Sequence, residues 1–530
     1  MSMPNNIAVA IFHGVSISRW KLFVPGLLLF VSSLGFNTSK AAPPEKPNIV
    51  FILADDLGYG DLSCFGAAKV TTPNIDRIAE RGIKFTNAYS PHSVCTPSRY
   101  GLLTGQYAWR TWNGHETVWA NDPLLIDIKR TTLPKIFKSF GYTTAIIGKW
   151  HLGYGAPGTP GWDDLRGPDY NRDLTPGPLE VGFDYYFGIP HAGQEPHMYI
   201  ENHRVLNLTD SMRIILDKRF LNRPSYLERK GQPPAHTFEG YESAKYKQED
   251  VAVNLAAKAV DWINKQGKAP FFLLFTPRNI HTPLVPNERF ANTSKIGVYG
   301  DFINELDWSV GEIIKALEKK GIRDNTILVF ASDNGGVTNY MPSEKIEVEG
   351  HYPNGPFFGQ KTEVYEGGVH IPLIVSWPHH FAQGKVSEKL VALTDWTATF
   401  AALFKYPLKW NEGEDSFSML GELTNTKPSE PQRQSVVVDS RAGLLGIRKG
   451  DWKFISGKGG GSGRWWKPLQ NNQMAPHQWN YPENKKDPPG QLYNLKDDPG
   501  ETTNLYYECY DMVVKLRAEL TRIMYTGRSR

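Results

Sequence analysis

Runs of apolar residues without polar interruption recur along the chain at positions 49–53, 145–147, 271–275, 327–331 and 373–375. A strand with one face in water alternates apolar and polar side chains, so runs without alternation suit strands covered on both faces, as in a parallel sheet. Between them lie stretches with helical spacing, Val251, Leu255, Ala259 and Trp262, then Ile303, Leu306, Val310, Ile313 and Leu317. Strands alternating with helices predict an α/β fold, a large mixed and mostly parallel sheet sandwiched by helices. Pro73 marks a helix start before residues 74–80, and Gly321 after Lys320 marks a helix stop. With 530 residues, 40% of them apolar, the chain can bury a large core, which excludes disorder.

After about residue 432 the pattern changes to short strand-like pieces, 436–439, 444–447 and 452–455, the last two joined across a Lys449-Gly450-Asp451 turn. This predicts a catalytic domain over 46–431 and a smaller C-terminal α+β domain over 432–530 with an antiparallel sheet. Positions 456–490, rich in Gly, Pro, Asn and Lys, read as a long loop, with Trp465, Trp466 and Trp479 as its anchors. Residues 1–41 read as a secretory signal peptide: Arg19 and Lys21 precede the apolar run 22–31, and Ser39-Lys40-Ala41 follows. That run is about half the ~20 residues a bilayer span requires, so the expectation is export without stable membrane insertion. Cleavage near Ala41 removes three of the 59 basic residues and none of the 55 acidic ones, so the formal charge of +4 falls close to neutrality. An even balance argues against nucleic acid as a partner. Cys64, Cys95 and Cys509 are too few for a disulfide framework, and their odd number leaves at least one thiol to explain. Cys64 and Cys509 are expected to be free and packed. Asn207-Leu208-Thr209 and Asn292-Thr293-Ser294 match glycosylation acceptors, which matter only in a eukaryotic host.

Four of the apolar runs end in polar clusters: Leu53 leads to Asp55-Asp56, Ile147 to Lys149 and His151, Phe275 to His281, and Phe330 to Asp333-Asn334. Ligands of open α/β sheets bind outside the carboxyl ends of the strands, so these clusters are expected to converge. Asp55, Asp56, Asp333 and Asn334 offer oxygen donors alone, a set suited to calcium or, less well, magnesium rather than zinc. Cys95 lies in Cys95-Thr96-Pro97-Ser98-Arg99, ahead of an expected helix opening at residues 100–103. A helix N-terminus there would lower the thiol pKa or bind an anion.

These motifs together resemble the sulfatases of the alkaline-phosphatase superfamily. Cys95-Thr96-Pro97-Ser98-Arg99 is similar to the family's modification motif, in which a formylglycine-generating enzyme oxidises the cysteine to formylglycine. The resemblance extends over Ala54-Asp55-Asp56-Leu57-Gly58-Tyr59-Gly60-Asp61-Leu62, Leu103-Thr104-Gly105, Gly148-Lys149-Trp150-His151-Leu152-Gly153, Ser332-Asp333-Asn334-Gly335 and Gly359-Gln360-Lys361. The late stretch Leu492-Tyr493-Asn494-Leu495 to Asp498-Pro499-Gly500-Glu501 is similar to the family's C-terminal end. Asn354-Gly355-Pro356 and Tyr365-Glu366-Gly367-Gly368 look most like the arylsulfatase A and N-acetylgalactosamine-6-sulfatase branch. The chain departs from the pattern at Gln106 and His370, where the family usually has arginine.

The resemblance implies an alkaline-phosphatase-like fold and hydrolysis of sulfate monoesters, of sulfated galactose or N-acetylgalactosamine-type sugars or of aryl sulfates. It implies that residue 95, as hydrated formylglycine, attacks sulfur with one hydroxyl and expels sulfate by deprotonation of the other. Calcium held by Asp55, Asp56, Asp333 and Asn334, with residue 95 as a further ligand, would offset charge. Lys149 and Lys361 match the family's sulfate-binding lysines. Lys149 and His151 are two apart and would share a face of an extended segment, which makes His151 the candidate base. His281, in Asn279-Ile280-His281-Thr282-Pro283, matches the histidine near the leaving oxygen and is assigned general acid. Arg99 orients residue 95. His191 and His197, after Gly182-Phe183-Asp184, are candidates for the substrate pocket. Two other readings keep the fold: a phosphate or phosphonate ester hydrolase, and an inactive secreted carbohydrate-binding homologue.

Overall fold

Each long apolar run becomes a strand of one ten-stranded sheet in the computed structural model, which describes residues 46–164, 166–193, 195–209, 213–216, 238–340, 344–345, 350–428, 430–462 and 487–530. In chain order the strands are β1 (Asn48–Ala54), β2 (Ile83–Phe85), β3 (Thr143–Lys149), β4 (Tyr185–Ile189), β5 (Ile200–Glu201), β6 (Arg204–Val205), β7 (Phe271–Thr276), β8 (Thr326–Ser332), β9 (Leu373–Ser376) and β10 (Lys385–Ser387). Their spatial order is β10-β2-β9-β8-β1-β7-β3-β4-β5-β6. The central strands β8, β1, β7, β3 and β4 are mutually parallel, in registers that include Asn48 opposite Thr326, Ile49 opposite Phe272, Phe271 opposite Thr143 and Lys149 opposite Ile189. One run departs from the parallel expectation: β9 lies antiparallel to both β8 and β2. It is as buried as its neighbours, so an apolar run reports burial on both faces and not strand direction.

The side chains of β1 divide by parity between two cores. Ile49, Phe51 and Leu53 join one, and Val50, Ile52 and Ala54 the other, as the two-residue period of a strand requires. The first core is closed by α3 (Leu133–Ser139) and α6 (Trp396–Phe404), with Phe51 edge-on to Trp396 at 5.3 Å between ring centroids. The second is closed by α1 (Pro73–Glu80), α4 (Val251–Lys265) and α5 (Gly297–Lys319). In α5 the buried Ile303, Leu306, Val310, Ile313 and Leu317 recur every three or four residues on one face. Truncating any of these isoleucines or leucines to alanine would cost about 2–5 kcal/mol. The helix ends at Lys319, and Gly321 adopts the left-handed conformation that follows many helix C-termini.

Between β2 and β3, α2 (Cys95–Thr104) is buried along its whole length. The C-terminal residues add a second sheet, antiparallel throughout: β11 (Ser435–Asp439), β12 (Leu445–Lys449), β13 (Trp452–Ile455) and β14 (Gln491–Asn494). One face, with Val437, Ile447, Phe454 and Leu492, packs on α7 (Tyr510–Tyr525) through Val513, Leu516, Leu520 and Ile523. The other, with Val436, Val438 and Ile455, packs on Tyr89, Val364 and Val369. Lys453 is wholly buried there, 2.9 Å from Glu366 and 2.9 Å from Glu501. Residues 46–530 thus form one compact unit. The leader read at 1–41 and Trp465, Trp466 and Trp479 lie outside the described residues.

Candidate active site

The parallel strands all end on one edge of the sheet, and the polar clusters meet there. Asp55 and Asp56 follow β1, Asp333 and Asn334 follow β8, Lys149 closes β3, and His281 lies a short loop beyond β7. Backbone hydrogen bonds lock these exits together: Asp55 N–H donates to Asn279 O at 2.9 Å, Ile280 N–H to Asp55 O at 2.6 Å, and Asp333 N–H to Ala54 O at 3.0 Å. Asp56 has a left-handed backbone, φ 63°, which turns the chain sharply after β1. Gly148 takes φ 130°, and a Cβ there would lie 1.9 Å from Thr276 O, so only glycine lets β3 run this close to β7 beside Lys149.

Charges alternate around the site. Lys149 Nζ, wholly buried, donates to both oxygens of Asp55 at 2.8 and 2.7 Å. Lys361 Nζ lies 2.6 and 2.7 Å from the two oxygens of Asp56. Arg99 donates through Nε and a terminal nitrogen to Asp333 at 3.0 and 2.8 Å, lies 3.4 Å from Asp55, and bonds the Lys149 carbonyl at 3.1 Å. Asp55, Asp56 and Asp333 bring ligand oxygens within 4.8 Å of one another. Burial opposes the charge on Asp55, but Lys149 above all, then His281 and Arg99, hold its carboxyl well below the usual range. Burial and the nearby Asp55 carboxylate push Asp333 up to about 7. Asn334 Nδ2 donates to Asp56 at 3.0 Å, while its buried Oδ1 has no hydrogen-bond partner among the described residues. An orphaned amide oxygen beside these carboxylates is the donor chemistry a hard cation takes.

Cys95 is the first residue of α2, so the helix begins earlier than the spacing indicated. Its thiol pKa is raised rather than lowered: burial outweighs the favourable fields of Lys149 and Lys361. Ser98 turns its hydroxyl back to the Val94 and His92 carbonyls at 2.9 and 3.0 Å and fixes the turn before the helix. His151 reaches the site by another route than a shared strand face, since its φ of 57° breaks the extended course directly after Lys149. Thr96 Oγ1 pins its carbonyl at 2.9 Å. Burial, then Lys149 and His191, hold the His151 imidazole well below its ordinary pKa, and its Nδ1 has no hydrogen-bond partner among the described residues. His281 Nδ1–H donates to Thr282 O at 2.7 Å, leaving Nε2 toward the site, 3.7 Å from Asp56. Burial and Lys361 lower its pKa to about 4.

Of the pocket histidines, the structure brings His191 to the site, buried with its ring 5.6 Å from that of His151. His197 instead sits with Gln248, 3.0 Å from its Nδ1, and Tyr246. Gln106 and His370 stay away from the reacting groups. Gln106 bridges Tyr100 and Glu414 at 2.7 and 3.0 Å, and His370 bridges Glu366 and Thr86 O at 2.9 and 2.7 Å. Cys64 and Cys509 are free. Sequence reasoning missed His92, His115 and Asp439, a cluster beside the Cys95 turn in which His92 and Asp439 are buried and His115 is partly exposed. A lone histidine in each of two loops and an acid at a distant strand end carry no local signal.

The family model described as Sulfatase matches residues 47–406. An N-acetylgalactosamine-6-O-sulfatase of Bacteroides thetaiotaomicron is 35% identical over 524 residues, covering 94% of this chain and 98% of its own length. The N-acetylgalactosamine-6-sulfatase of Mus musculus is 34% identical, covering 71% of this chain and 66% of its own length. A solved 6S-sulfatase structure from work on glycosaminoglycan metabolism in Bacteroides thetaiotaomicron superposes with a TM-score of 0.78 at 36% identity, over 90% of this chain and 99% of that one.

Proposed function

The chain belongs to the sulfatase family, whose members hydrolyse sulfuric esters, and on that premise we propose that residue 95 acts as formylglycine, with calcium, on a 6-sulfated N-acetylgalactosamine-type sugar. The observation that carries the reading is the junction of the Cys95 turn with three buried carboxylates and the unpartnered Asn334 Oδ1. Asp55, Asp56, Asp333 and Asn334, with residue 95, would hold the cation, which supplies positive charge to a sulfate oxygen and lowers the pKa of a neighbouring hydroxyl. The aldehyde hydrate at position 95 supplies two hydroxyls on one carbon, one to attack sulfur and one whose deprotonation releases sulfate.

The remaining work falls to side chains whose placement is already fixed. Lys149 and Lys361 set positive charge against the transferring oxygens, in a buried setting where it counts for more than in water. His151, neutral and with Nδ1 unpaired, takes the proton that leaves residue 95 in the release step. His281 donates from Nε2 to the leaving sugar oxygen; its Nδ1–H bond to Thr282 O fixes which nitrogen faces the ester. That donation requires a protonated ring, which the negative charge of a bound ester favours over the low pKa set by burial and Lys361. Arg99 holds Asp333 in place against residue 95. The sugar preference rests on the relatives named for N-acetylgalactosamine 6-sulfate, the nearer of which spans almost the whole chain. A formylglycine-generating enzyme is the required partner, and residues 1–41, read as a leader, would direct export. Among the described residues no helix is long and apolar enough to cross a membrane.

The test is the mass of tryptic peptide 85–99 from protein made in a host with a formylglycine-generating enzyme. A peptide lighter by the thiol-to-aldehyde change, and captured by a hydrazide, supports the reading. An intact thiol, in a host that converts a control sulfatase, overturns it.

A further inference from the structure

The exit of β11 is laced onto the nucleophile turn: Ser93 N–H donates to Asp439 O at 2.9 Å, and Thr362 N–H, next to Lys361, donates to Ser93 O at 2.8 Å. The loop carrying His115 is tied to the same turn where Val118 N–H donates to Thr96 Oγ1 at 3.2 Å. Between them the wholly buried Asp439 side chain pairs with His115 Nδ1 and faces His92 Nε2 at 3.4 Å. Two imidazoles and a carboxylate could be taken for a second metal site, but His92 cannot serve as a ligand there. Its Nδ1 accepts the Val94 N–H at 3.1 Å, so Nε2 carries the proton and has no lone pair for a cation. Asp439 therefore accepts from His115 and holds that ring by its Nδ1–H, while His92 Nε2, 3.4 Å from the same oxygen, has no hydrogen-bond partner among the described residues.

That leaves His115 Nε2 open. The side chain is 36% exposed, and Nε2 has no hydrogen-bond partner among the described residues. The ring is also seated on purpose-shaped backbone: a Cβ at Gly443, φ 80°, would come within 2.8 Å of His115 Cδ2. An imidazole whose Nδ1–H is held by a buried carboxylate, on a loop tied to the nucleophile turn, presents Nε2 as an acceptor and suits a ligand hydroxyl that donates to it. We propose that His115, positioned by Asp439, reads a ring hydroxyl of the sugar that carries the sulfate, and so sets the preference for sugar sulfates over esters without hydroxyls. This rests on the sulfatase site assigned above, to whose Cys95 turn the His115 loop and the Asp439 backbone are both tied.

The experiment measures binding by the calcium-loaded, full-length Cys95→Ser protein, using N-acetylgalactosamine 6-sulfate and inorganic sulfate as calorimetric probes. Loss of one oriented imidazole bond in His115→Ala is expected to weaken the sugar ester roughly ten- to a hundredfold and to change inorganic sulfate by less than about twofold. If that variant fails to fold, His115→Phe, which keeps a ring beside Gly443 without nitrogens, carries the same expectation. Equal weakening of both probes, or of neither, overturns the proposal, as does a parent that binds the sugar ester no better than sulfate. A parent that binds neither probe instead brings down the sulfate-site reading, and this proposal with it.

Discussion

Replacing Lys149 by methionine separates its two roles. The side chain is wholly buried, with Nζ at 2.8 and 2.7 Å from the two Asp55 oxygens, and methionine nearly conserves its volume. Removing one partner of a buried ion pair costs about 3–5 kcal/mol, because the other charge is left in low dielectric. Arg99 lies 3.4 Å from the same carboxylate and shares the load, which places the expected loss of stability near ~3 kcal/mol. The catalytic loss is separate: one preorganised positive group aimed at the transferring oxygens is worth about 10²–10³ in kcat, or ~2.7–4 kcal/mol. Thermal melting reports the first and steady-state hydrolysis, well below the melting temperature, the second. A lower melting point with a hundredfold or larger fall in kcat, ~2.7 kcal/mol or more, is expected. A lower melting point with kcat unchanged would refute the sulfate-facing role and leave Lys149 as a neutraliser of Asp55 alone.

Chelation should abolish hydrolysis and added calcium restore it; Asn334→Ala should raise the calcium needed for half-activation roughly ten- to a hundredfold, whereas restoration by zinc in place of calcium would contradict the oxygen-only donor set. His281→Ala should slow hydrolysis of a sugar sulfate by ~10²–10⁴, yet slow a nitrophenyl sulfate far less, because a good leaving group needs no proton. Similar losses on both would remove His281 from the acid role. Lys453→Met leaves Glu366 and Glu501 buried without the cation they share at 2.9 Å each, so a loss of about 3–5 kcal/mol is expected in chemical denaturation, and an unchanged midpoint would show that the carboxylates find another partner.

The parts legible in the sequence were those whose physics is local. Apolar runs located the strands because burial on both faces leaves no room for alternation, and the polar clusters after four of the runs converge because parallel strands deliver their exits to the same edge. Direction was not legible: β9 looks like its parallel neighbours and runs against them, since hydropathy does not record polarity. The left-handed turn at His151 was hidden for a similar reason, as nothing in Trp150-His151-Leu152 requires φ 57° until Thr96 and the β4 exit fix the carbonyl and amide of His151 from outside. The His92, His115 and Asp439 cluster joins segments more than 300 residues apart, so no window of sequence contains it.

The pKa of Cys95 bears on why position 95 should need chemical alteration at all. A helix N-terminus with two lysines nearby is the setting in which a thiol is expected to ionise. Here burial dominates, the same lysines are committed to Asp55 and Asp56, and the carboxylates of Asp333 and Asp55 add their own repulsion, so the thiol stays protonated. The charges that would activate a thiolate are instead balanced against carboxylates, in an arrangement suited to a cation and an anionic ester arriving together. An unmodified thiol would be a poor nucleophile in that balance, whereas a hydroxyl activated by a bound cation would not depend on the lysines for its ionisation. A protein kept in the thiol form should therefore bind calcium and sulfate while failing to turn over, and its residual rate should not rise with pH up to about 8, because the thiol pKa lies above its ordinary value of ~8.5.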